Sequence, residues 1–218
     1  MMSSFEQARF NMIEQQIRPW GVLDPAVLAV MARIAREQFV PDAYQALAYA
    51  DIEIPLPAGE MMLAPKIVGQ LLQALAPRPH ERVLEIGTGS GYVTACLAAL
   101  GQSVSSLEIN PTLADTAQTR LADQPVEIHT TDAFAGEIEG GPYAVIAVTG
   151  SLPTVEPMVR LHEQLAEGGR LFVILGQAPV MQAMRITRLP GGGWREEHLF
   201  ETCVPALSNV PLPEQFAF

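Results

Sequence analysis

The chain has 218 residues (23.6 kDa) and 49% of them are hydrophobic, enough to bury one substantial α/β core with an N-terminal elaboration. Thirteen basic residues against 24 acidic ones give a formal net charge of −11, which repels phosphate backbones and anionic lipid surfaces and argues against nucleic acid as a partner. No apolar run reaches the roughly 18 residues needed to cross a bilayer, and Met1-Met2-Ser3-Ser4-Phe5-Glu6 lacks a basic n-region and an apolar h-region, so no membrane association and a cytoplasmic location are expected.

Residues 1–79 read as an extension. Apolar periodicity predicts amphipathic helices over about 5–17 and 25–36, followed by the proline-rich connector Ile54-Pro55-Leu56-Pro57-Ala58-Gly59. Pro65 is placed to open a helix running through Ile67, Val68, Leu71 and Leu72.

Residues 80–218 alternate between strand and helix. Strands are predicted at 82–86, 103–108, 126–130, 143–149 and 170–175, with helices at 91–100, 111–122 and 154–166. Gly101 ends the first of these helices, Pro111 opens the second, and Gly168-Gly169 separates the third from its strand. Such alternation implies right-handed crossovers, hence a mostly parallel twisted sheet with helices on both faces. The segments 181–189 and 194–204 flank Pro190-Gly191-Gly192-Gly193, a hairpin signal that adds an antiparallel C-terminal edge.

The chemistry is carried by Arg82-Val83-Leu84-Glu85-Ile86-Gly87-Thr88-Gly89-Ser90-Gly91-Tyr92, an apolar strand that runs into three alternating glycines and then a helix. Glycine tolerates positive φ and lets the backbone approach a ligand at the carboxyl end of a strand. A dinucleotide site uses G-x-G-x-x-G, whereas the spacing here is G-x-G-x-G, preceded by an acid, Glu85, that would repel a diphosphate. A cationic amino-acid ligand fits better, and S-adenosylmethionine is one. Glu108 closes the next strand, where a carboxylate can accept both ribose hydroxyls.

The loops after later strands should complete the cleft. Candidate cofactor contacts are therefore Glu85, Gly87, Thr88, Gly89, Ser90, Gly91, Glu108, Ile109, Asp132, Ala133 and Thr149. Asp132 either accepts from the exocyclic amine of adenine or forms an Asx-turn. Small residues around Thr149 leave room for an acceptor.

Histidines 80, 129, 162 and 198 show no metal-ligand spacing, so no metal is assigned. His129 reads as a satisfied structural histidine or as a neighbour of the cofactor. Cys96 and Cys203 read as two buried reduced thiols, one in a helix and one in a late strand.

The sequence resembles the protein-L-isoaspartate O-methyltransferase family over most of its length. Arg36-Glu37-Gln38-Phe39-Val40-Pro41 is similar to the family's R-E-x-F-V-P, Tyr49-Ala50-Asp51 to Y-x-D, and Pro55-Leu56-Pro57 to the P-L-P before its substrate loop. Val83 to Tyr92 matches its cofactor motif, and Leu165-Ala166-Glu167-Gly168-Gly169-Arg170-Leu171 matches L-x-x-G-G-R-L. The resemblance implies a Rossmann-like class I methyltransferase fold, S-adenosyl-L-methionine as cofactor, and methylation of a carboxylate on an isoaspartyl peptide or protein. It makes 1–79 a helical and substrate-loop extension and 80–218 the cofactor-binding core.

The departures cluster on the acceptor side. The family's T-I-S-A-P-H loop becomes Met61-Met62-Leu63-Ala64-Pro65-Lys66, so Leu63 replaces the serine regarded as catalytic and Lys66 replaces the histidine. Ala144 stands where the family usually has an acid, and either Val204-Pro205 or Val210-Pro211-Leu212 stands in for its closing F-V-P-L. Lys66 either attracts the acceptor carboxylate or points into water, and Met61, Met62 and Leu63 either meet a less polar small-molecule acceptor or fold into the core. A catalytically silent cofactor-binding paralogue is the remaining alternative. The oligomeric state is not legible.

Overall fold

The computed structural model describes residues 3–213; the last five residues of the C-terminal tail lie outside the described residues. Helix α1 (Ser4–Met12) starts from a capping box in which the Ser3 hydroxyl accepts from the Glu6 N–H while Glu6 accepts from the Ser3 N–H. It widens into a π-turn over Ile13–Ile17 and a 3₁₀ turn over Arg18–Trp20, stopped by Gly21 at φ +81°. Thus the helix expected over 5–17 is regular only to Met12. Helix α2 (Pro25–Arg33), capped by Asp24, ends three residues before the expected 36 because Ile34 is already extended. The chain then turns through 3₁₀ segments at Arg36–Gln38 and Asp42–Leu47. A small hairpin of β1 (Ile54–Pro55) and β2 (Met61–Met62) leads into α3 (Pro65–Leu75).

The core follows as β3 (Arg82–Ile86), α4 (Tyr92–Leu100), β4 (Ser103–Glu108), α5 (Pro111–Arg120), β5 (Val126–Thr130), β6 (Tyr143–Leu152), α6 (Met158–Gln164), β7 (Leu165–Gln177), β8 (Val180–Arg188) and β9 (Trp194–Thr202). The sheet order is β5-β4-β3-β6-β7-β8-β9, parallel from β5 through β7 and antiparallel for β8 and β9. The order reverses between β3 and β6, so a crevice opens at their carboxyl ends.

Two expectations about β7 and α6 change. The strand begins at Leu165, and Gly168-Gly169 bulges out of it between the pairs Tyr143↔Leu165 and Val145↔Arg170, leaving α6 only seven residues. Cys96 is buried, but Cys203 is exposed, because the edge strand β9 ends at Thr202 and the next residue turns to solvent.

The buried apolar residues of 1–79 and of one face of the sheet form one continuous cluster, in which Met12, Ile17, Met31, Leu71 and Leu72 join Cys96, Val145 and Phe172, while Leu84, Ile146 and Leu171 belong to a second cluster. Arg170 fixes that arrangement: its guanidinium donates to the Leu75 and Ala76 carbonyls at the end of α3 and to Glu81 at 2.7 Å. That anchor lies at the amino end of β3, while Met61 and Leu63, before α3, line the crevice beside Gly87 and Thr149 at the carboxyl end. No helix among the described residues is long and apolar enough to cross a membrane.

Candidate functional site: a cofactor cleft and an adjoining cavity

The turn after β3 carries Gly87 at φ +93° and Gly89 at φ +53°. A Cβ on Gly87 would collide with the Thr149 hydroxyl and lie 3.1 Å from Leu207, so only glycine leaves this surface free. Gly91, at φ +85°, faces the other way: a Cβ there would meet Ala117 and Leu121 of the α5 region. It lets α4 and α5 approach, and does not line the cleft.

Glu108 ends β4 beside this turn, 5% exposed, with Oε2 accepting from the Gly89 N–H at 2.8 Å and Oε1 from the Asn110 N–H at 2.9 Å. Each oxygen retains a lone pair. Ile109, Leu107 and Leu113 supply an apolar wall next to it. Asp132 forms the Asx-turn, Oδ1 accepting from the Phe134 N–H, and with Ala133 it lines the cleft, its Oδ2 accepting from Asn209. Thr149, at the carboxyl end of β6, donates to the backbone oxygens of the Ile86–Gly87 corner.

Glu85 is placed differently from its expected role. It is fully buried off the cleft wall, its Oε2 accepting from Thr94 at 2.5 Å and Ser106 at 2.6 Å, while Oε1 has no partner. Ser106 in turn shares a 2.6 Å hydrogen bond with Thr88. Burial pushes the Glu85 carboxyl up to about 8 against those two hydroxyl bonds, so near neutrality it is largely protonated. Its part is to brace the glycine turn from beneath. Ser90, also buried, accepts from the Tyr92 N–H and holds the start of α4.

A wall invisible to the motif comes from the C-terminal segment 204–209. Ser151 donates through its N–H to Pro205 O and accepts from the Leu207 N–H, and its hydroxyl donates to Val204 O. This lays Leu207 against Gly150, where a Cβ would lie 2.8 Å from the leucine methyl. Val204-Pro205 thus lies at the cleft, and Ser208 reaches Glu60 across it at 3.1 Å. The cleft encloses about 70 Å³ and is partly open to solvent.

A second, narrow cavity of about 30 Å³ adjoins the first, sharing Met61, Leu63, Gly87, Gly89 and Thr149 as walls. Leu63 and Met62 are each 5% exposed and belong to the core cluster, so Leu63 both packs inward and fronts the cavities. Lys66 lines neither. It pairs with Asp51 at 2.9 Å and lies over the Trp20 ring, because the first turn of α3 carries it toward the N-terminal segment. His129 is exposed, 3.9 Å from Glu127, and neither satisfied in the core nor at the cleft.

The family model for protein-L-isoaspartate(D-aspartate) O-methyltransferase matches residues 7–205. The chain belongs to the protein-L-isoaspartate O-methyltransferase family. It is 40% identical over 185 residues to a protein-L-isoaspartate O-methyltransferase of Methylorubrum populi, covering 84% of this chain and 86% of that one. To the enzyme of that name from Herpetosiphon aurantiacus it is 37% identical, covering 97% and 92%. The fold matches a crystal structure of a putative protein-L-isoaspartate O-methyltransferase from Plasmodium falciparum in complex with S-adenosyl-L-homocysteine, with a TM-score of 0.78 at 20% identity over 95% of this chain and 99% of that one.

Family membership and fold make the protein a Rossmann-like class I methyltransferase that uses S-adenosylmethionine. The residues present fit that cofactor: Gly87 and Gly89 at positive φ, a Cβ on Gly87 obstructing the surface, an acid with free lone pairs at the end of β4, and an apolar wall beside it. Against the family's loop, the serine position holds a buried leucine, and the histidine position a lysine already engaged by Asp51. Sequence reading passed over Glu60, Leu207, Ser208 and the buried Arg36. Only Arg36 and the Val204-Pro205 pair carried a signal, as parts of family motifs.

Proposed function

We propose that the protein transfers a methyl group from S-adenosylmethionine to a carboxylate oxygen of an isoaspartyl residue in a peptide or protein. The observation that carries this reading is the cleft in which Gly87, Gly89, Glu108 and Asp132 converge at the switch point, in a chain of this family. Glu108 would hold the ribose hydroxyls, Ile109 and Ala133 the adenine faces, Asp132 its amine, and the Gly87–Gly89 backbone the amino-acid part. The cofactor supplies an activated methyl on a cationic sulfur.

An acceptor carboxylate, with an ordinary pKa near 3.5 to 4, is already ionised at neutral pH and needs no general base. The work left to the protein is alignment and exclusion of water. Met61 and Leu63 give the shared wall an apolar surround, and Leu207 extends it on the cleft side.

Incubation with labelled S-adenosylmethionine and paired isoaspartyl and aspartyl peptides tests the reading. Label should enter the isoaspartyl peptide alone; equal silence on both peptides at high enzyme concentration rejects it. A second reading, a less polar small-molecule acid as acceptor, is favoured by Met61 and Leu63 on the cavity wall. Faster turnover of lipophilic acids than of the isoaspartyl peptide would replace the first reading with the second.

A further inference from the structure

The two adjoining cavities have opposite electrostatics. The larger cleft is lined by Glu60, Glu108 and Asp132 and by no lysine, arginine or histidine. That wall suits a cationic donor. Among the described residues the smaller cavity has no acid on its wall, and its one charged residue is Arg36.

Arg36 is unusual in its own right. It is 0% exposed and makes no ion pair among the described residues. Its Nε donates to Ala48 O at 2.8 Å, its Nη2 donates to Leu63 O at 2.7 Å, and its guanidinium lies over the Tyr92 ring at 4.9 Å. Nη1 has no hydrogen-bond partner. Asp51, the carboxylate that attracts it, gives Oδ2 to Lys66 and keeps a buried Oδ1 without a hydrogen bond among the described residues, and no hydrogen bond joins the two side chains. Buried charges are normally paired, and a buried donor is normally satisfied, so a guanidinium that is neither has a vacant role.

We propose that Arg36 is the acceptor-binding residue of this methyltransferase, its unpartnered Nη1 holding one oxygen of the substrate carboxylate in the cavity behind Leu63. The inference rests on the proposed carboxylate acceptor and deepens it. The Leu63 carbonyl and the Tyr92 ring fix the guanidinium plane from two sides, leaving Nη1 as the free arm of the fork. Met61 and Met62, flexible thioethers on the same wall, are the side chains that give way to admit the carboxylate. With one oxygen on Arg36, the other lies toward the shared wall at Gly87, Gly89 and Thr149. There its lone pair forms the O–CH₃ bond as the S–CH₃ bond breaks; the breaking bond's electron pair stays on sulfur, and no proton moves. A charge-assisted bond to a buried guanidinium thus takes over what the loop hydroxyl does in relatives with a serine.

The test compares Arg36→Gln and Arg36→Lys with wild type, using formate as the carboxylate probe and formamide as its neutral isostere. Both are titrated at constant ionic strength into protein loaded with S-adenosylhomocysteine, and the melting temperature is followed. Formate should stabilise the wild type and formamide should not. R36Q should need roughly ten- to a hundredfold more formate for the same shift, with R36K between, while cofactor affinity stays within about twofold. In turnover, the isoaspartyl-peptide KM should rise by the same factor, with kcat falling less. A folded R36Q that responds to formate as the wild type does overturns the inference. Should R36Q fail to fold, the wild type decides: equal responses to formate and formamide, or none to formate, overturn it. Failure of the isoaspartyl reading looks different, as a formate response that requires Arg36 in a protein that methylates no isoaspartyl peptide.

Discussion

Glu108 and Gly89 are joined by a 2.8 Å hydrogen bond from the glycine N–H to Oε2, which ties the end of β4 to the middle of the turn after β3. With the Asn110 N–H on Oε1, the carboxylate is oriented by two backbone donors, and its remaining lone pairs face the cleft.

Replacing Glu108 by glutamine should therefore weaken cofactor binding more than loss of a formal charge suggests. An amide must turn its NH₂ toward either Gly89 or Asn110, donor against donor, and it presents one acceptor where two are needed. Calorimetric Kd for S-adenosylmethionine is expected to rise roughly ten- to a hundredfold, with a fall in stability of about 1–3 kcal/mol. An unchanged Kd would place the ribose elsewhere.

Glu85 gives the stability of the protein a pH dependence of known sign. Its folded pKa, about 8, lies above the ordinary carboxylate value, so the folded state holds a proton that the unfolded state has lost. The favourable contribution is fully present below the unfolded pKa, declines as pH rises, and is gone once pH passes the folded value. Glu85→Gln removes the titration. Its melting temperature relative to wild type should climb between about pH 4.5 and 8 and level off above, the total being on the order of a few kcal/mol. A constant offset across pH 5 to 9 contradicts the assignment.

The two glycines at φ near +90° separate site from scaffold. Gly87→Ala strains the backbone and drives Cβ into the Thr149 hydroxyl at the cleft wall, so cofactor binding should fall below detection in whatever protein folds. Gly91→Ala presses on Ala117 at 3.2 Å instead. Melting should drop by the equivalent of roughly 1–3 kcal/mol, while the folded fraction binds cofactor normally. Equal loss of affinity in both variants would refute the division.

Why some of this was legible and some not follows from range in sequence. The strands β3 to β7 announce themselves because a parallel, doubly covered sheet needs short apolar runs, and Gly87, Gly89 and Gly91 all sit at positive φ, with Gly87 and Gly91 also crowded by neighbours. Glu108 follows from topology once β4 is placed. Arg36 showed only as the first letter of the family's R-E-x-F-V-P, with nothing of its role: its partners are carbonyls 12 and 27 residues away, Ala48 and Leu63, and any residue type supplies a carbonyl. Leu207 is equally silent, since its place depends on Ser151 pairing with the backbone at 205–207. Glu85 is expected at the ligand, and Lys66 either there or in water, because residue type gives charge but not direction. The pleat of β3 turns Glu85 under the turn, and the first turn of α3 turns Lys66 to Asp51.

Lys66→Met should accordingly leave methyl transfer within about twofold of wild type. Its ion pair with Asp51 is a quarter exposed on each side, so solvent screens it, and stability should fall by no more than about 1 kcal/mol. A large loss of turnover with an intact fold would return Lys66 to the acceptor site.

Leu63→Ser restores the hydroxyl that relatives of this family carry in the loop, and here two effects oppose each other. Leu63 is 5% exposed within the core cluster, so truncation should lower stability by about 2–5 kcal/mol. The same change adds a donor to the wall shared by both cavities, beside Thr149 and in front of Arg36. A hydroxyl on a charged oxygen is worth roughly 1.5–3 kcal/mol, so kcat/KM for an isoaspartyl peptide should rise about tenfold or more, measured well below the lowered melting temperature. Because the gain appears in turnover and the loss in melting, the two are separable in one variant. A folded L63S with unchanged kcat/KM would mean that the acceptor does not pass this wall.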